Sequence, residues 1–227
     1  MEKRALALLE RIRHFAVPDG GGEARATWLR QEGEMRLAPD RPWMAFRAEE
    51  SFAREGIGFR WCAHARMTPL LRARVVDSFQ AGRGALTLWV LGVLPIARRT
   101  GAAIDLGEAL RALAELPWRP FSFREGQGLA WEAEGHDKLR VRFDDGRTQA
   151  AIDLDVDGEG RVLGGTAPRR PRLVGKAVAD TPWSGAFGEY RAFGEVRVPT
   201  VAEATWHLPE GPFTYWRGRV TEFRVAR

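Results

Sequence analysis

Apolar and polar positions alternate along this chain in two rhythms. Residues 1–17 place Ala5, Leu8, Leu9, Ile12, Phe15 and Ala16 at helical spacing, with charges on the other face. That pattern predicts an amphipathic N-terminal helix, stopped by Pro18 and the Gly20-Gly21-Gly22 run. Such a helix either packs on a sheet or lies against a membrane surface or partner; the acids Glu2 and Glu10 offset its basic residues. From Ala24 onward the period shortens to two, the rhythm of half-buried strands. Residues 24–37 offer Trp28, Met35 and Leu37 as apolar anchors, with Gly33 expected at a bulge. Residues 43–52 follow, and then 57–67, where Phe59, Trp61, Ala63 and Ala65 oppose Arg60, His64 and Arg66. Residues 70–79 set Leu71, Ala73 and Val75 against Arg72 and Arg74, and 85–94 form an apolar run suited to a strand covered on both faces.

One helical stretch interrupts this series. Within 105–116, Leu106, Ala109, Leu110, Leu113 and Ala114 share a side, and Pro117 ends the run. Asp105 is expected to cap it, with Glu108 three residues later completing a capping box. Glu108, Arg111 and Glu115 fall together on the other side, at spacings that allow ion pairs along the helix. Two readings of that stripe stay open. It is a solvated, self-paired surface, or it borders an apolar cavity in which Arg111, held by Glu108 and Glu115, meets an anionic head group.

Strand rhythm then resumes over 118–123, 129–134, 139–143, 149–156 and 161–167, and again over 183–193, 195–198, 204–208, 213–217 and 219–225. Residues 173–182 read as a link. Asp-Gly pairs at Asp145-Gly146 and Asp157-Gly158 mark hairpins. Asp153, Asp155 and Asp157 have the look of a calcium loop, but the alternation of Ile152, Leu154 and Val156 favours a strand and turn. About twelve strands with turns at this spacing predict a mainly β (α+β) fold. No repeat or linker divides the 227 residues, so one domain over 1–227 is expected.

Composition adds an aromatic excess, with 9 Trp and 12 Phe against 2 Tyr, which calls for a wide apolar interior or groove. The net charge is +5, but the arginines are interspersed with acids, so nucleic-acid binding is not expected. That arginine-rich mixture suits ion-pair networks and a thermostable protein. The lone Cys62 excludes an internal disulfide and a cysteine metal cluster, and its place in an alternating segment predicts a buried, inert thiol. No cofactor or metal is expected: His14, His64, His136 and His207 are scattered, and no nucleophile elbow or phosphate loop occurs. Asp77, before a glycine turn, reads as a structural strand end. The first 18 residues lack the apolar core of a secretory signal and no stretch is long enough to span a bilayer, which predicts a cytoplasmic location.

A set of short motifs adds a resemblance. In order they are Arg13-His14-Phe15, Gly33-Glu34-Met35-Arg36, Pro42-Trp43, Phe59-Arg60-Trp61, Val76-Asp77-Ser78-Phe79 with Gly82-Arg83-Gly84, and Gly107-Glu108 with Arg111 and Glu115. Trp118 with Pro120, Pro182-Trp183, Gly194 with Pro199, and Trp206 complete the series. The chain resembles an uncharacterised bacterial family, a domain of unknown function, that is similar in organisation to the lipoprotein-carrier (Lol-type) half-barrel. The resemblance implies a curved antiparallel sheet forming an incomplete barrel, with an N-terminal helix and a central helix plugging its concave side. It also implies a hollow for an acyl chain or another apolar, lipid-like ligand. Carriers of that type are exported or lipid-anchored, whereas this chain shows neither signal nor lipidation cysteine, and the resemblance transfers no catalytic residue. The candidate ligand-binding residues are therefore Trp61, Asp77, Glu108, Arg111, Glu115, Trp118, Trp183 and Trp206. Non-catalytic binding of an apolar small molecule leads. An enzyme using Asp77, Glu108 or Glu115 as base with Arg111 for an oxyanion, and a structural module with a filled core, are the alternatives.

Overall fold

The computed structural model describes residues 3–18, 23–66, 71–90, 94–126, 128–175 and 177–226, with the side chains of residues 94 and 95 left aside. Its frame is one antiparallel sheet of thirteen strands among the described residues. In chain order they are β1 (Thr27–Met35), β2 (Met44–Phe52), β3 (Phe59–Arg66), β4 (Arg72–Gln80), β5 (Arg83–Val90) and β6 (Leu94–Arg99). After the central helix come β7 (Leu129–Glu134), β8 (Lys138–Asp144), β9 (Gln149–Val156), β10 (Val162–Val174), β11 (Ala177–Phe193), β12 (Val196–Leu208) and β13 (Gly211–Val225). The spatial order is β6-β5-β4-β3-β2-β1-β13-β12-β11-β10-β9-β8-β7. Each strand pairs with its sequence neighbour, except that β1 pairs with β13, and β6 and β7 remain as free edges. The predicted incomplete barrel is therefore present: a sheet curled on itself and not closed.

Helix α1 (Lys3–Ala16) buries Ala5, Leu8, Leu9, Ile12 and Ala16 against β7 and β12, as its apolar stripe requires. The glycine run expected to stop it lies outside the described residues, as do the expected strand ends at residues 67–70. Helix α2 (Ala102–Ala114) lies in the concavity and packs on β4, β5, β8, β9 and β10, bridging the two ends of the open sheet. Gly84 on β5 makes this approach possible: a Cβ there would meet the Ile104 carbonyl oxygen at 2.6 Å. Beyond α2, Phe79 of β4 meets Phe143 of β8 edge to face at 5.8 Å, and Thr148 Oγ1 donates to the Gly82 carbonyl at 3.0 Å. These contacts join the two arms of the open sheet beyond the helix.

Several expectations are corrected. The central helix begins at Ala102 rather than Asp105, with Gly101 at φ 110 as its N-cap and no side-chain cap. Asp105 instead accepts a hydrogen bond from the Gly84 N–H at 2.7 Å, so the capping box does not form. Residues 118–123 are not a strand. They form two short 3-10 turns, Leu116–Trp118 and Pro120–Ser122, because Pro117 and Pro120 supply no N–H for a ladder. The supposed link at 173–182 is the tip of the β10–β11 hairpin, turned at Gly175 with φ 63. The segments split at residues 199–203 and at Gly218 are single long strands, β12 and β13. In the 85–94 run, β5 is only half-buried and a separate strand β6 follows. On β1 the inward residues are Thr27, Leu29 and Gln31, not Trp28, which packs outside under Arg30 and Arg224. Leu37 is 74% exposed. Gly33 is a point of close approach to Arg217 and Phe46, and the register shift on β1 falls at Arg30/Gln31. Cys62 is half-buried rather than buried, and its sulfur accepts from Arg74 Nε at 3.4 Å.

Candidate functional site

Between α2 and the inner face of the sheet lies a cavity of 320 Å³, within the range of small-molecule sites. Alternation along the strands builds its apolar walls. Trp61 and Val75 point in from β3 and β4, Trp183 and Phe187 from β11, and Ala202 and Ala204 from β12. Tyr215 and Trp216 come from β13, and Trp118 enters from the turn after α2. Three of the indole edges are satisfied within the protein. Trp61 Nε1 donates to Gln31 Oε1 at 3.0 Å, Trp118 Nε1 to the Pro199 carbonyl at 2.9 Å, and Trp183 Nε1 to Tyr215 Oη at 3.2 Å. The indoles of Trp61, Trp118 and Trp183 therefore offer apolar faces to the hollow.

The floor is charged. Arg111, projecting from α2, gives Nη1 to Asp77 Oδ2 at 2.8 Å, Nη2 to Glu50 Oε1 at 2.9 Å and Nε to Glu115 Oε1 at 2.7 Å. Its guanidinium carbon lies 4.8 Å from the Phe59 ring and 5.0 Å from the Trp61 ring. Burial opposes that charge, but Glu115, Glu50, Asp77 and Glu108 together hold Arg111 firmly protonated. The same burial acts on the acids. It raises Glu50 well above the usual carboxylate range, with the Glu115 charge adding to the effect. Asp77 is raised by burial and held back by Arg111. Glu108 is pushed up to about 8, by burial first and the Asp77 charge second. Nearby, burial lowers Arg119 to about 10 while it donates to the carbonyls of Ala53 and Gly56.

Seven of the eight residues selected from the sequence line this cavity: Trp61, Asp77, Glu108, Arg111, Glu115, Trp118 and Trp183. Trp206 stands one layer behind, stacked on Tyr215 at 5.6 Å. Two roles change. Asp77 is not a strand end; it faces inward from β4 opposite Trp61 and holds Arg111. Arg111 lines the cavity with each of its three nitrogens already bonded to a carboxylate, which leaves two of its five N–H donors outside these bonds. Glu115 holds it as expected, while Glu108 makes no hydrogen bond to it.

Two participants were missed. Glu50 sits on β2 in the inward series Phe46, Ala48, Glu50, Phe52, and its side chain is 0% exposed. An acid in the apolar phase of a strand is a visible signal. Arg170 also lines the cavity. Between Ala167 and Arg170 strand β10 carries one residue more than its partner β11, so Ala167 pairs with Trp183 and Arg170 with Thr181. That bulge turns Arg170 inward, against the phase the sequence implies. Elsewhere, Ser184 and His207 share a hydrogen bond at 2.8 Å on the outer face of β11 and β12, remote from the cavity.

A model of a family of unknown function, DUF6544, matches residues 10–218. No curated protein matches in sequence. In shape the chain is similar to a LolA-superfamily protein from Nitrosomonas europaea, with TM-score 0.54, 10% identity, and 98% of this chain and 94% of that one covered. It is also similar to a putative outer membrane lipoprotein-sorting protein domain from Vibrio parahaemolyticus, with TM-score 0.50, 10% identity, and coverage of 97% and 93%. A DUF1329 family protein from Desulfovibrio piger compares at TM-score 0.50, 9% identity, and 98% and 93% coverage. At such identities the likeness is one of fold.

Proposed function

The chain belongs to DUF6544, a family of unknown function, and from its own geometry we propose that it is a binding protein for an apolar, lipid-like ligand held between α2 and the concave face of the sheet. The observation that carries this reading is the 320 Å³ hollow walled by Trp61, Trp118, Trp183, Phe187 and Trp216. A core filled for stability alone would leave no such space, because interiors pack to near-crystalline density. At the roughly 30 Å³ occupied by a water-sized group, the hollow accepts a chain of about ten carbons. The lipoprotein-carrier fold supports the reading as a frame, with a curved sheet and a helix on its inner side.

The test is direct. Gently purified protein is examined by native mass spectrometry for a bound amphiphile. It is then titrated with N-phenylnaphthylamine, a neutral dye that brightens in apolar sites. Saturable brightening that decanol reverses is expected. Absence of a co-purifying ligand together with absence of saturable dye binding refutes the proposal.

A further inference from the structure

One wall of the cavity carries a cation with no counterion. Arg170 is only 8% exposed, yet among the described residues no carboxylate lies in ion-pair reach of it and no group accepts a hydrogen bond from it. Its neighbours are aromatic. The guanidinium carbon lies 4.6 Å from the Trp183 ring and 5.5 Å from the Trp206 ring. Stacking occupies the flat faces of a guanidinium and leaves its N–H edges free. Those nitrogens are not among the sealed, unpartnered atoms of the protein, and the residue lines the cavity, so the free edges open into the hollow. A buried cation with unused donors is costly unless something supplies the missing acceptors.

The carboxyl groups across the cavity do not supply them. Asp77 and Glu108 sense the Arg170 charge from a distance without contacting it. Asp77 Oδ1, Glu108 Oε2, Glu115 Oε2 and Glu50 Oε2 lack partners but are sealed from the hollow. Arg170 therefore brings unused donors to the cavity wall, and unused donors of a cation fit an acceptor of opposite charge.

We propose that Arg170 anchors the polar end of the ligand and that this end is an oxyanion, a carboxylate or phosphate monoester carried on a single apolar chain. The proposal rests on the reading of the cavity as an apolar-ligand site. An oxyanion takes two parallel N–H bonds from the guanidinium edge, the geometry arginine provides and lysine does not. The chain then runs along Trp183, Phe187 and Trp118.

The experiment displaces N-phenylnaphthylamine with four ligands of equal chain length: decanoate, decyl phosphate, decanol and decylamine. Acetate and inorganic phosphate serve as head groups alone. An anionic ligand is expected to displace the dye at a concentration about tenfold below that of decanol and decylamine, while the bare anions displace nothing. Whichever of decanoate and decyl phosphate is tighter names the source of the oxyanion. Arg170→Gln should abolish the anion preference, read as the ratio of decanoate or decyl phosphate to decanol displacement on the same variant, with a cooperative urea transition showing that it is folded. Arg170→Lys should retain part of the preference. The four-ligand comparison on the unaltered protein decides the matter even if neither variant folds. Equal displacement by all four, or an anion preference that survives in Arg170→Gln, overturns the role of Arg170 and leaves the cavity reading standing. Failure of the dye and of every chain-bearing ligand to bind overturns both.

Discussion

Glu108→Gln isolates the cost of the charged floor. Glu108 is held near 8 in the folded protein, against an ordinary glutamate value of 4.5. Its folded pKa is therefore the higher one, so the native state keeps a proton that the unfolded chain releases. The stability this proton confers is fully present below pH 4.5 and is lost as pH rises toward 8, after which the loss levels off. Each additional proton on the native state lowers unfolding free energy by about 1.4 kcal/mol per pH unit across that window. Taken alone, the interval amounts to about 4–5 kcal/mol by pH 8. Sharing with Glu50 and Asp77, which titrate in the same sense, reduces the part assignable to Glu108 to about 2–4 kcal/mol. Gln is a neutral near-isostere, so it should match the parent at pH 5 and exceed it at pH 8. For a chain of this size the difference corresponds to roughly 5–15 °C in melting temperature. Urea midpoints measured at pH 5, 6, 7 and 8, at constant denaturant slope, give the comparison. Parallel pH profiles for parent and variant, or a variant less stable at pH 8, would show that Glu108 does not carry a proton in the fold.

Other substitutions probe neighbouring parts of the same frame. Arg111→Met leaves Glu50, Asp77 and Glu115 without their shared cation. A loss of about 3–5 kcal/mol is expected in urea denaturation at pH 8, and the loss should shrink at pH 5, toward which the raised carboxyls of Glu50 and Asp77 take up protons. Gly84→Ala places a methyl group against the Ile104 carbonyl at 2.6 Å. A backbone cannot give way there without moving α2, so about 1–3 kcal/mol should be lost, read from the melting temperature. Trp118→Phe removes the bond to the Pro199 carbonyl and leaves that buried acceptor empty. A cost of about 1–3 kcal/mol is expected, together with a weaker dye signal from the widened cavity.

What could be read from the sequence was whatever obeys a simple period. Residues 57–67 alternate without interruption, and Phe59, Trp61, Ala63 and Ala65 all face inward as expected. Helix α1 buries the stripe its spacing marks. Expectations failed where a tertiary contact overrode a local signal. Asp105 has every attribute of an N-cap, but Gly101 opens the helix one turn earlier and the carboxylate serves the β5 backbone instead. Residues 118–123 were expected to enter the sheet, but Pro117 and Pro120 fall at the second and first positions of two 3-10 turns, and neither supplies a ladder donor. The two segments expected at 195–198 and 204–208 are one strand, which runs through Pro199 opposite Tyr190, next to Glu189 at φ 50, where β11 itself departs from regular geometry.

The same logic explains why one arginine of the cavity was legible in the sequence and the other was not. Helical spacing placed Arg111 between two acids, and the cavity lies where that helix meets the sheet, so the location was legible from one element. Its pairing was not, because two of its three partners, Glu50 and Asp77, come from strands distant in sequence. Arg170 sits in the densest basic run of the chain, Arg169-Arg170-Pro171-Arg172, where sequence alone does not separate one arginine from the next. A single extra residue on β10 distinguishes them. Without the bulge the inward position after Ala167 is Arg169, which the structure leaves exposed. With it, Arg170 turns in between Trp183 and Trp206. A bulge in a strand carries no compositional mark beyond an ill-fitting proline such as Pro168. The cavity's open cation is therefore fixed by register, and register is decided by the pairing of whole strands.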